Sequence, residues 1–135
     1  MSDLENLLET LNAGTPVLRK LNHYSKQAHI ASRDTALDYY IAWRDSEEGR
    51  AWKKQKETEY NYRCPECNRK THLTIDHKIP RSKAPWLAWN ISNLWLLCDH
   101  CNKGKGDKNW SEYLKIVKEK RGNTTYKRIL KLSKS

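Results

Sequence analysis

No stretch of the 135-residue sequence is apolar for long enough to cross a bilayer, so no membrane span is expected. A signal-peptide pattern is also missing from the first residues, which points to an intracellular, cytoplasmic and reducing setting. Cysteine is scarce. The four present lie at the two ends of residues 64–101, as Cys64-Pro65-Glu66-Cys67 and Cys98-Asp99-His100-Cys101, and in a reducing setting this pattern favours a metal over two disulfides. Acidic residues are sparse where basic ones gather: residues 1–60 carry 9 basic and 10 acidic side chains, residues 61–102 carry 6 and 3, and residues 103–135 carry 11 and 3. The formal charge of +10 is therefore concentrated toward the C-terminal end, where it would draw a polyanion such as DNA or RNA by releasing condensed counterions. No segment reads as a separate recognition domain, so weak sequence preference is expected.

The first 60 residues have helical signals throughout. Ser2 and Glu5 have capping-box spacing, Leu4, Leu7, Leu8 and Leu11 form a stripe, and Gly14 supplies a stop. Thr15-Pro16 opens a second segment bearing Val17, Leu18, Leu21 and Tyr24, and a third runs from about Ser32 to Trp43. Ser46 can cap a fourth, with Glu47 and Glu48 in its first turn and Trp52 as an anchor. His23 and His29 have no metal-ligand partners here and read as ordinary surface residues. Beyond Tyr62 the pattern changes. Leu73 and Ile75 alternate with Thr74 and Asp76 as a strand that delivers Asp76 and His77 to its end; the prolines of residues 78–92 dictate a long loop; Leu94 to Leu97 form a second strand. A helix is expected from Asp99 to about Lys105, and another after Asn109 or Ser111, ended by Gly122-Asn123.

Two Cys-x-x-Cys knuckles offer four soft thiolates, which fill tetrahedral Zn²⁺ and leave no open position, so the zinc is structural. The fold class is then α+β: a small treble-clef-like ββα-metal finger (residues 61–108), preceded by a helical extension (1–60) and followed by a basic C-terminal helix and tail (109–135). Within it, Tyr62-Arg63-Cys64-Pro65-Glu66-Cys67, Asp76-His77-Lys78-Ile79-Pro80-Arg81-Ser82 and Asn93-Leu94-Trp95-Leu96-Leu97-Cys98-Asp99-His100-Cys101-Asn102-Lys103 occur in that order. This combination resembles the HNH endonucleases, in their zinc-bearing, McrA-like branch. One departure is that Asn102 stands where the family usually has histidine, giving an HNN variant; another is Ala84-Pro85 where the family often has glycines.

Phosphodiester hydrolysis needs a base, a Lewis acid and a rigid frame. His77 suits the base, because a neutral imidazole accepts a proton from water near pH 7. Asp76 and Asn102 offer oxygen ligands to a catalytic Mg²⁺ or Mn²⁺, and the amide in place of imidazole disfavours zinc or nickel in that role. The resemblance implies that Asn93 hydrogen-bonds backbone near His77, and that the products carry 3′-hydroxyl and 5′-phosphate ends. Arg81 is expected nearest the scissile phosphate, its planar fork matching the phosphate oxygens. Lys78, Lys83, Lys103 and Lys105 are the further nucleic-acid contacts expected. Trp86, Trp89, Trp95 and Trp110 either stack on unpaired bases or complete a thin core. The reading is a metal-dependent endonuclease acting on duplex DNA, without a membrane or small-molecule cofactor. Its alternatives are a non-catalytic treble-clef zinc module that binds DNA or RNA and, less favoured, a protein-interaction finger.

Overall fold

The computed structural model describes residues 33–134. The expected helices around Leu4–Leu11 and after Thr15-Pro16 lie outside them. Helix α1 (Arg33–Asp45) and helix α2 (Glu47–Glu59) precede strand β1 (Leu73–His77); single 3-10 turns at Pro85–Leu87 and Ile91–Asn93 lead into strand β2 (Leu94–Cys98). Helices α3 (Asp99–Lys105), α4 (Trp110–Arg121) and α5 (Asn123–Lys134) follow. No described helix is long and apolar enough to cross a membrane.

Local chemistry sets most of these boundaries. Ser46 Oγ accepts from Gly49 N (3.1 Å) and caps α2, with Glu47 and Glu48 in its first turn. Gly49 is needed where α2 turns away from α1, since a Cβ there would collide with the Trp43 carbonyl. Asn109 Oδ1 accepts from Glu112 N (2.9 Å) and caps α4. Gly122, at φ 94°, ends α4 in a conformation open to glycine.

The strands pair antiparallel, with Leu73 opposite Cys98, Asp76 opposite Trp95 and His77 opposite Leu94. All five residues of β2 are buried, because α2, α3 and α5 pack against it. That double coverage is why Leu-Trp-Leu-Leu shows no polar alternation. Trp95, Leu96, Leu97 and Leu73 form one core cluster with Tyr60, Tyr113, Val117 and Ile129, and Leu94 joins Ala36, Tyr40, Trp43 and Ala88 in a second. Trp95 is thus a core residue, and half-buried Trp110 meets its ring edge-on at 5.0 Å.

The C-terminal region differs from expectation. Residues 123–134, expected as a basic tail, form α5, whose Ile129 is fully buried. Its Arg128 Nε donates to Pro65 O (2.8 Å), and Tyr60 Oη donates to Leu132 O (3.3 Å). From α4, Tyr113 Oη and Arg121 Nε each donate to the Glu66 carboxylate at 2.7 Å. Both helices therefore grip the first cysteine knuckle. Ile129→Ala should cost on the order of 2–5 kcal/mol, the range for emptying a buried aliphatic site. Denaturant unfolding measures this, and a loss under about 0.5 kcal/mol would place Ile129 outside the core.

Candidate metal centre and adjoining cleft

The first knuckle is a tight turn. Cys64 N donates to Arg69 O (3.0 Å), Asn68 N donates to Cys64 O (2.8 Å), and Asn68 takes φ 61°, which asparagine tolerates better than most residues. The second knuckle lies where β2 becomes α3, with Cys98 Sγ accepting from Cys101 N at 3.4 Å. The register of Leu73 with Cys98 brings the knuckles together, and the sulfurs of Cys64, Cys67, Cys98 and Cys101 all lie within 4.8 Å of one another. Four sulfurs at about 2.3 Å from a tetrahedral centre stand about 3.8 Å apart. Cys67 and Cys98 are at 3.8 Å, far beyond a disulfide bond. Burial pushes the Cys64 thiol up to about 11 and Cys101 also upward, while Cys67, against the effect of burial, is held down to about 6 by hydrogen bonds from Arg69. Four sulfurs gathered this closely, three of them on buried residues, are a donor set that fits zinc.

At the other end of the hairpin is a cleft of about 330 Å³, lined by Asp76, His77, Arg81, Ser82, Asn102 and Asp107 among others. The strand end supplies Asp76 and His77, the following loop Arg81, and α3 Asn102. Asp76 is buried, and its Oδ2 accepts from Trp95 Nε1 (2.8 Å) and pairs with Lys105 Nζ (3.3 Å). Burial raises the Asp76 pKa, and Lys105 and the Trp95 hydrogen bond oppose that rise. Asn102 Nδ2 donates to Thr74 Oγ1 (3.3 Å), so its amide oxygen is the group left for the cleft.

His77 Nε2 is 2.7 Å from Ala88 O. A carbonyl only accepts, so Nε2 carries the proton and Nδ1 the free lone pair. Tyr40, from α1, meets the imidazole edge-on at 4.7 Å. Burial lowers the His77 pKa to about 4, with Arg81 and Lys105 adding to the effect and the Ala88 hydrogen bond opposing it. The ring is neutral at pH 7. Asn93 is buried, with Oδ1 accepting from Ile79 N (2.9 Å) and Nδ2 donating to Ile79 O (3.1 Å) and Leu87 O (3.4 Å). It ties the start of the loop, at Ile79, and its first 3-10 turn, at Leu87, to the start of β2.

The expected phosphate contacts divide. Arg81 is exposed at the cleft, and Lys103 is exposed beside Asp99 (3.1 Å). Lys83 lies 3.9 Å from Glu112, and Lys78 Nζ donates to Ser92 O (3.0 Å) and Ser133 O (2.7 Å). Lys105 is a correction. Its side chain is 1% exposed and its Nζ is held by His77 O (2.8 Å) and Asp76, so it does not reach a phosphate from solvent. Its place on α3 four residues after Cys101 puts it on the inward face of that helix, although a lysine in this basic stretch reads from the sequence as a surface residue. Tyr40 and Glu66 carry no comparable local signal.

Residues 64–108 match the family model described as HNH endonuclease. That stretch holds both knuckles, the hairpin, its loop and α3, and makes up one third of the chain. No curated protein and no solved structure matches.

Cys67→Ser and Cys98→Ala should lose zinc and fold poorly, because a structural zinc contributes about 10 kcal/mol of apparent binding free energy in small modules. Asp76→Asn, which keeps an acceptor for Trp95 and Lys105, should retain about one zinc per chain. Elemental analysis with circular dichroism tests both, and zinc loss in Asp76→Asn would make Asp76 part of the structural site.

Proposed function

We propose, starting from an HNH endonuclease domain at residues 64–108, that this protein is a metal-dependent endonuclease cutting duplex DNA. The observation that carries the reading is the meeting of Asp76, His77, Arg81 and Asn102 in one cleft, at the opposite end of the hairpin from the four-cysteine cluster. Asp76 and Asn102 are the residues that would hold a Mg²⁺ or Mn²⁺, and such an ion supplies Lewis-acid stabilisation of charge developing on the scissile phosphate. His77 Nδ1 takes a proton from the attacking water. The water oxygen bonds to phosphorus as the bond to the 3′ oxygen breaks, and protonation of that oxygen leaves 3′-hydroxyl and 5′-phosphate ends. Ala88 and Tyr40 fix the ring that does this, and Asn93 fixes the loop carrying Arg81, which grips a phosphate oxygen.

DNA reaches the cleft along a basic path. Lys78, next to His77, touches the end of α5 through Ser133, and Lys127, Lys131 and Lys134 are exposed on that helix at spacings of four and three. Arg128 is engaged with the zinc knuckle instead.

Supercoiled plasmid should be cut with Mg²⁺ or Mn²⁺ and spared after EDTA; a purely binding zinc module would bind it in both conditions and cut it in neither. His77→Ala should lower single-turnover cleavage by about 10²–10⁴-fold with zinc content and DNA affinity near wild type. Cutting at the wild-type rate by this variant would remove His77 from the reaction. Replacing Lys127, Lys131 and Lys134 together by Gln should flatten the log–log salt dependence of DNA binding by up to about 2.7 units, at about 0.9 per phosphate contact. An unchanged slope would move the DNA contact off α5.

A further inference from the structure

The Asp76 carboxylate already has a cation. Lys105 Nζ lies 3.3 Å from Asp76 Oδ2 and 2.8 Å from His77 O, and 5.8 Å above the Tyr113 ring. Lys56, the other buried lysine among the described residues, pairs with Glu59 away from this cleft. With three partners on β1 and α4 and no path to solvent, the Lys105 ammonium is fixed. An ion arriving at Asp76 therefore meets the carboxylate with Lys105 still in place, and the oxygen it finds is Oδ1, since Oδ2 serves Trp95 and Lys105.

The fixed charges facing this point are few. Asp76 and Lys105 cancel; Arg81 adds a positive charge at the rim and Asp107 a negative one; Asn102 and Ser82 add none. A divalent ion binds hard-oxygen sites in proportion to their negative charge and ligand number, and here the Asp76 carboxylate is paired with Lys105, the charge of Asp107 is offset by Arg81, and Asn102 offers only an amide. Nucleic-acid phosphate supplies the charge that is missing, and Arg81 stands where it would receive it.

We propose that Lys105 makes occupancy of the Asp76–Asn102 site conditional on substrate, so that the divalent cation is retained together with a DNA phosphate and only weakly without it. This rests on the nuclease reading above. It assigns Lys105 a positioning and charge-setting role through Asp76, without contact with DNA. Because coupling between two ligands is reciprocal, the cation must tighten DNA binding by the same factor by which DNA tightens the cation.

The test uses the full chain carrying His77→Ala, which keeps duplex DNA intact, and follows Mn²⁺ by electron paramagnetic resonance and calorimetry. Asp76→Asn in the same background subtracts Mn²⁺ held by the DNA alone. The Asp76-dependent Mn²⁺ affinity should rise at least about tenfold when a short duplex is added, within the usual span of coupling. Lys105→Met should raise the DNA-free Mn²⁺ affinity by about tenfold and shrink the effect of the duplex, since one of two opposed charges is gone. Equal Mn²⁺ affinity with and without duplex overturns the inference, and that comparison needs no Lys105 variant to fold. A folded Lys105→Met with unchanged or weaker DNA-free affinity overturns it too. If no Mn²⁺ binding depends on Asp76 in any condition, the nuclease reading itself fails.

Discussion

Four sulfurs within 4.8 Å of one another are the constraint from which the rest of the structure follows. The paired strands are only five residues each, and a two-stranded hairpin of that size is marginal alone. A zinc ion held by both knuckles would close one end of it, fixing where β1 begins and where α3 starts. The other end of the same hairpin is the cleft. A displaced register would carry Asp76 away from Trp95 and turn it to the opposite face, so a metal at the four cysteines would also decide where the cleft residues sit.

The flanking helices are bound into this arrangement from both sides. On one side Glu66, lying between the first two cysteines, collects Tyr113 and Arg121, while Arg128 takes the carbonyls of Pro65 and Glu66. On the other, α1 packs against the turn at Pro85–Leu87 and sends Tyr40 onto His77. The imidazole is thereby held by an aromatic edge from one element and a carbonyl from another, neither of them in the strand that carries it. Such bracing from outside the strand is what gives a loop-edge residue a fixed geometry.

Much of the fold was legible because its signals are local. Ser46 and Asn109 cap helices through their own side chains, the β-branched and apolar alternation around Leu73 and Ile75 marks β1, and the cysteine spacing marks the metal site. Helix α5 reads as a tail in the sequence because Gly122-Asn123 is a stop signal, although Tyr126, Ile129, Leu130 and Ser133 keep helical spacing beyond it. The positions of Asp76, His77, Arg81 and Asn102 in one cleft also follow from the strand–loop–helix order. Lys105 does not, since a lysine in a basic stretch reads as surface until the partner that makes its burial tolerable is located in space. The same holds for Tyr40, whose meaning depends on a residue 37 positions away.

The double coverage of β2 has a consequence for how the protein is made. Leu94 to Cys98 leaves the ribosome with its apolar side chains bare on both faces, and one of its covers, α5, is synthesised last among the described elements. Until residue 134 has emerged, a short, uncharged, apolar strand has no complete burial site, the kind of segment that pairs readily with another copy of itself. Early capture of zinc would limit that exposure by pinning Cys98 and pairing β2 with β1 before the last helix arrives. For a nascent chain, a zinc ion at the four cysteines would then favour folding over self-association.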